Sequence, residues 1–91
     1  MKFEFDSGKD SINQHKHGLS LAEAEALWAV PAVEADLGIV NGEYRYVRLA
    51  IYKGAVHLII FTYRPGPNIR LISFRAATAK EATIYENSKK I

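Results

Sequence analysis

The stretch from Tyr44 to Arg75 limits what this chain can fold into more than any other part of it. It reads YRYVRLAIY, then Lys53-Gly54, then AVHLIIFTYR, then the rigid turn RPGPN, then IRLISFR. Runs so rich in Val, Ile, Tyr and Phe are strands. Connections this short cannot carry a crossover, so the three runs are consecutive hairpins of an antiparallel sheet. Upstream, Asn41-Gly42 is a strong turn signal, and AVEADLGIV before it is a weaker strand.

Helix signals flank this block. Asp6 or Ser7 caps a first helix from Ser7 to His17, with Ser7 and Asp10 at capping-box spacing and Gly18 as its left-handed stop. Ser20 and Glu23 form a second capping box, Leu21, Ala24, Leu27 and Trp28 give an apolar stripe, and Pro31 ends that helix. KFEF at the start alternates as a short strand would. TAKEATIYENSKK is a last helix with a box at Thr78 and Glu81, and Lys89 and Lys90 suit its C-terminal dipole end. The expected fold is therefore α+β: an antiparallel sheet of three to four strands, two N-terminal helices and a C-terminal helix, with the helices on one sheet face. Ninety-one residues make a single domain, 1–91.

Charge is unevenly spread. Up to Glu43 there are eight acids and three bases; from Tyr44 onward there are nine bases and two acids. Between Tyr44 and Arg75 there are six bases and no acid. That is the footprint of a polyanion binder or of a surface that meets an acidic partner; the plainer reading is a solvated sheet face. No apolar run is long enough to span a membrane, and the polar, acidic N-terminus does not read as a signal peptide. The absence of cysteine excludes disulfides and thiolate metal sites and suits a cytoplasmic protein.

The histidines do not make a metal site. His15 and His17 point roughly 200° apart on a helix, and no carboxylate or cysteine completes a ligand set with either of them. Helical spacing instead aligns Lys9, Asn13 and His17, with Lys16 beside them. Two readings stay open: a basic patch with a proton-transfer imidazole, or Asn13 and His17 bonding backbone near a helix end. Arg45, Arg48, Arg64, Arg70 and Arg75 lie on or beside three strands, among Tyr44, Tyr46, Tyr52, Phe61, Tyr63 and Phe74. Guanidinium forks bind phosphate and aromatic faces stack bases; equally, such aromatics fill cores while arginines snorkel at the rim. Neither a Ser-His-Asp series nor a Gly-rich phosphate loop is present, so no cofactor is expected. The basic half offers no carboxylate cluster for a metal. A nuclease built on it is metal-free, with bases stabilising phosphate charge while a side chain moves the proton of a 2′-hydroxyl.

These motifs converge on a known pattern. FDSGKDSINQHKHGLSLAEA resembles the opening of the BrnT toxins of type II toxin–antitoxin systems, roughly W-D-x-x-K-x-x-x-N-x-x-K-H-G, with Asp6, Lys9, Asn13, Lys16, His17, Gly18 and Leu19 in register. GEYRYVRLA resembles the family's G-E-x-R-x-x-x-x-G strand, and IRLISFRAATAKEATIYE its closing motif. The likeness spans nearly the whole chain. It departs at Phe5, where tryptophan is usual, at Ala29, Val30 and Pro31, where acids are common, and at Phe74, where alanine is usual and a phenylalanine is expected to crowd a groove.

The resemblance implies a RelE-like fold and a ribonuclease that arrests translation. It also implies a BrnA-like antitoxin partner, through which alone the complex meets DNA. By motif match it points to Lys9, His17, Arg45, Arg64 and Arg75, with Tyr85 matching but equally suited to packing. The expected division of labour puts Arg64 and Arg75 on the scissile phosphate and Lys9 and His17 at proton transfer or charge. Arg45, Arg70 and Tyr63 would position RNA. The alternative is a basic module that holds an antitoxin or nucleic acid without cutting it.

Overall fold

The computed structural model describes residues 1–89, the side chain of Lys89 excepted. The elements are β1 (Lys2–Glu4), α1 (Ser7–His17), a 3-10 helix (Leu21–Trp28), β2 (Ala32–Val40), β3 (Glu43–Tyr52), β4 (Ala55–Arg64), β5 (Asn68–Ala76) and α2 (Ala79–Lys89). The sheet has five strands in the order β1-β5-β4-β3-β2.

Strands β2 to β5 form the expected antiparallel meander. Its tight turns use left-handed backbone at Asn41 and Gly42 and again at Lys53 and Gly54, the paired positive φ that two-residue hairpins need. The expected sheet of three to four antiparallel strands is too small, however. β1 adds a fifth strand parallel to β5, pairing Lys2 with Asn68 and Glu4 with Arg70. A pairing across more than sixty residues leaves no local trace in the sequence, which is why this edge of the sheet is not legible there.

Two further expectations change. The second N-terminal helix is a 3-10 helix. With three residues per turn, Leu21, Ala24 and Leu27 fall on one line, and all three are buried. The helices also do not share one sheet face. Leu21, Ala24 and Leu27 pack with Ala50, Ile59, Phe61, Ile69, Leu71 and Phe74 on one side. On the other, Tyr85 of α2 packs with Leu49 and Leu58. Alternation along β3 and β4 sends neighbouring residues to opposite cores: Leu49 against Ala50, Leu58 against Ile59. Fully burying each large apolar side chain contributes about 1.5–3 kcal/mol.

A β-bulge in β5 sets up the site. Ile60 pairs with Ser73 and Phe61 with Leu71, so Ile72 has no opposite number. The extra residue puts Leu71 and Phe74 in the same core although they are three apart. By the same shift, Arg70 and Arg75 share the opposite face. Parity read along the sequence alone would have split them.

Candidate active site

Helix α1 lies along the β5 edge where β1 has ended. Asp6 starts it, its carboxylate accepting from the N–H groups of Gly8 at 2.7 Å and Lys9 at 3.1 Å. Gly18, with φ of 70°, ends it. Asn13 fixes it to the sheet. Its Nδ2 donates to the Phe74 carbonyl at 2.9 Å and to the Leu19 carbonyl at 2.8 Å, and its Oδ1 accepts from the Phe74 N–H at 3.0 Å. The carboxamide thus continues the ladder that β1 leaves unfinished. Of the two readings of this helix stripe, Asn13 follows the structural one.

Around this anchor lie two adjoining clefts that share Lys9 and Ile72. One, of about 260 Å³, runs along α1 past Lys9, Lys16 and His17 to Ile72 and Ser73. The other, of about 250 Å³, is bounded by Asp6, Lys9, Glu43, Arg70 and the Leu71–Ile72 backbone bulge. Glu43, the first residue of β3, meets arginines of its own strand and of β4 here. It lies 3.4 Å from Arg45 Nε and 3.7 Å from Arg64 Nη1. One carboxylate therefore stands among Arg45, Arg64, Arg70 and Lys9, beside the capping carboxylate of Asp6.

Of the residues expected to form a site, Lys9, Arg45, Arg64 and Arg70 come together, and Lys16 and His17 extend the line along α1. His17 is eight residues beyond Lys9, about 12 Å by the rise of a helix. The two groups do not meet at one atom.

Arg75 is elsewhere. It pairs across the sheet with Leu58, whereas Arg64 lies at the other end of β4 opposite Asn68. Six residues separate them along the strand, roughly 20 Å. The expectation that Arg64 and Arg75 grip one phosphate fails on that distance. Arg75 is instead held by both oxygens of Glu81, at 2.8 and 3.0 Å. The guanidinium keeps the Glu81 carboxyl at about 2, well below the usual range, with the Thr78 N–H adding to the effect. Glu81 also completes the capping box of α2.

Tyr63 is half exposed but on the opposite face, its ring 5.0 Å from that of Tyr46 and 5.5 Å from that of Phe61. Arg48 is on that face too. Its Nε donates to the Leu27 carbonyl at 3.0 Å, its guanidinium lies 4.8 Å from the Trp28 ring centre, and it pairs with Glu34. Phe74 is wholly buried, packed on Tyr52 and His57, and crowds no groove. Tyr85 is core. Lys90 lies outside the described residues, as does the side chain of Lys89. Among the described residues, no three His, Cys, Asp or Glu side chains gather as a metal site would need, and no helix is long and apolar enough to cross a membrane.

Reading the sequence for function passed over Glu43. The signal was there: it stands two residues before Arg45, inside the G-E-x-R stretch.

A three-layer α+β frame thus carries, between its first helix and a sheet edge, clefts lined by Lys9, Lys16, His17 and Arg70 together with Asp6 and Glu43. Residues 5–81 match the family model of the ribonuclease toxin BrnT of type II toxin–antitoxin systems, and the chain belongs to that family. It is a family of ribonuclease toxins, and a toxin of a type II system pairs with an antitoxin. The fold is similar to that in the 1.1 Å crystal structure of the Brucella abortus ribonuclease toxin BrnT, with a TM-score of 0.64 and 23% identity over 86% of this chain and 97% of that one. No curated protein matches the chain by sequence.

Proposed function

We propose that this chain is itself a metal-independent endoribonuclease that arrests translation by cutting RNA in the cytoplasm, and that a BrnA-like, DNA-binding antitoxin silences it. The observation that carries this reading is the cleft bounded by Lys9 and Arg70, with Arg45 and Arg64 gathered on Glu43 beside it. Cations converging from a helix and three strands are what a phosphate undergoing attack requires, because they stabilise the charge that builds on its oxygens. Family membership supports the same chemistry.

Roles follow from position. Arg70 and Lys9 hold the scissile phosphate. Arg45 and Arg64 carry the neighbouring backbone, and Lys16 and His17 continue the track along α1. Arg75 supports the fold rather than the phosphate. The antitoxin covers this basic surface with an acidic segment, and the complex meets DNA only through the antitoxin.

Expression of the chain should stop growth, and co-expression of its neighbouring antitoxin gene should restore it. Replacing Lys9 and Arg70 with alanine should abolish the arrest while the protein remains folded. Arrest that persists in the double mutant would overturn the reading.

A further inference from the structure

We infer that Glu43 is the general base that takes the 2′-hydroxyl proton of the RNA. This rests on the reading above that the chain cuts RNA. A metal-free ribonuclease needs a group to accept that proton, and Glu43 is a carboxylate placed at the cleft itself. Glu43 borders the cleft with Lys9 and Arg70 and is only one-third exposed, its carboxylate 3.4 Å from Arg45 and 3.7 Å from Arg64.

Of the acids, Asp6 and Glu43 are the two that line the clefts. Asp6 borders the same cleft, but the Lys9 and Gly8 N–H groups lower it below the usual carboxylate range and weaken it as a base. Glu81 is locked to Arg75. Glu23 bonds the Tyr52 hydroxyl and the Ser20 N–H, and Glu34 is paired with Arg48 on the far face. His17 is about 12 Å of helix away from Lys9.

The reaction balances without a metal. The Glu43 carboxylate takes the proton as O2′ attacks phosphorus. The P–O5′ bond breaks, and the Lys9 ammonium returns a proton to O5′. The products are a 2′,3′-cyclic phosphate and a 5′-hydroxyl, and solvent restores both side chains. Arg45 and Arg64 lie against Glu43, and Lys9 and Arg70 border the cleft with it. Asp6 is the one acid opposing them in the cleft.

The test is single-turnover cleavage by wild type, Glu43→Gln and Glu43→Asp across pH, with binding of an uncleavable 2′-deoxy analogue measured in parallel. Glu43→Gln should cut about 10²–10⁴-fold more slowly, the usual contribution of a general base. It should lose the acid limb of the pH–rate profile, yet bind the analogue at least as tightly, since one negative charge has gone. Glu43→Asp should recover part of the rate and the acid limb. If wild type cuts and Glu43→Gln cuts equally with the same profile, the base assignment falls alone. It also falls if Glu43→Gln fails only because it no longer binds the analogue. If folded wild type cuts no RNA, the assignment falls together with the ribonuclease reading.

Discussion

The side-chain amide of Asn13 pairs with both the N–H and the carbonyl of Phe74, as a neighbouring strand would. This contact, sixty-one residues apart in sequence, seats α1 on the sheet and so positions Lys9 and His17. Asn13→Ala leaves the Phe74 groups and the Leu19 carbonyl without partners in a buried site. Each unsatisfied buried group costs about 1–3 kcal/mol. Chemical denaturation should show a loss of about 3 kcal/mol or more in total, and Asn13→Asp should lose as much, because a carboxylate cannot donate to two carbonyls.

Arg75 and Glu81 make stability depend on acid. Glu81 titrates at about 2 in the folded chain, against 4.5 as its ordinary value. The unfolded chain therefore binds the proton first. The pair's stabilisation is complete above about pH 4.5 and is lost as pH falls toward about 2. Solvent at the edge of the pair limits its worth to about 1–2 kcal/mol. Glu81→Gln should flatten this part of the stability curve in acid unfolding, and Arg75→Ala should do the same without weakening RNA binding.

Arg48 should behave as a structural residue despite its place in the acid-free stretch. It ties the end of the 3-10 helix to β3 through the Leu27 carbonyl and rests on Trp28. Arg48→Ala should lower stability by about 1–3 kcal/mol in thermal or chemical unfolding and leave RNA affinity unchanged. Lysine should not restore it, since an ammonium cannot reach the carbonyl, the ring and Glu34 together.

Salt dependence should sort the cations. Each phosphate contact to a single strand contributes about 0.7 to the slope of log affinity against log salt. Lys9→Ala and Arg70→Ala should each reduce that slope by about this amount in binding titrations with an uncleavable RNA. Arg48→Ala and Arg75→Ala should not change it.

Local signals were legible in the sequence and distant ones were not. The three long strands, their turns and both bounds of α1 follow from alternation, glycines and caps. The parallel β1–β5 pair, the bulge at Ile72 and the Asn13–Phe74 contact depend on residues far apart in the chain. The site divides the same way. Charge counting picked out the basic half but could not tell cations facing a ligand from those facing a carboxylate. Arg48 and Arg75 are paired within the fold with Glu34 and Glu81, and Arg70 shares a face with Arg75 only through an extra residue in β5. Glu43 was missed because the last acid before a basic stretch looks like a boundary, not a centre.

The most direct test of the account is the chemistry of the ends left on RNA by the purified protein in EDTA. The account predicts unimpaired cutting, 2′,3′-cyclic phosphate and 5′-hydroxyl ends, and no cut where the nucleotide before the scissile phosphate is 2′-deoxy. Cutting that EDTA abolishes, or ends carrying 3′-hydroxyl and 5′-phosphate, would contradict it.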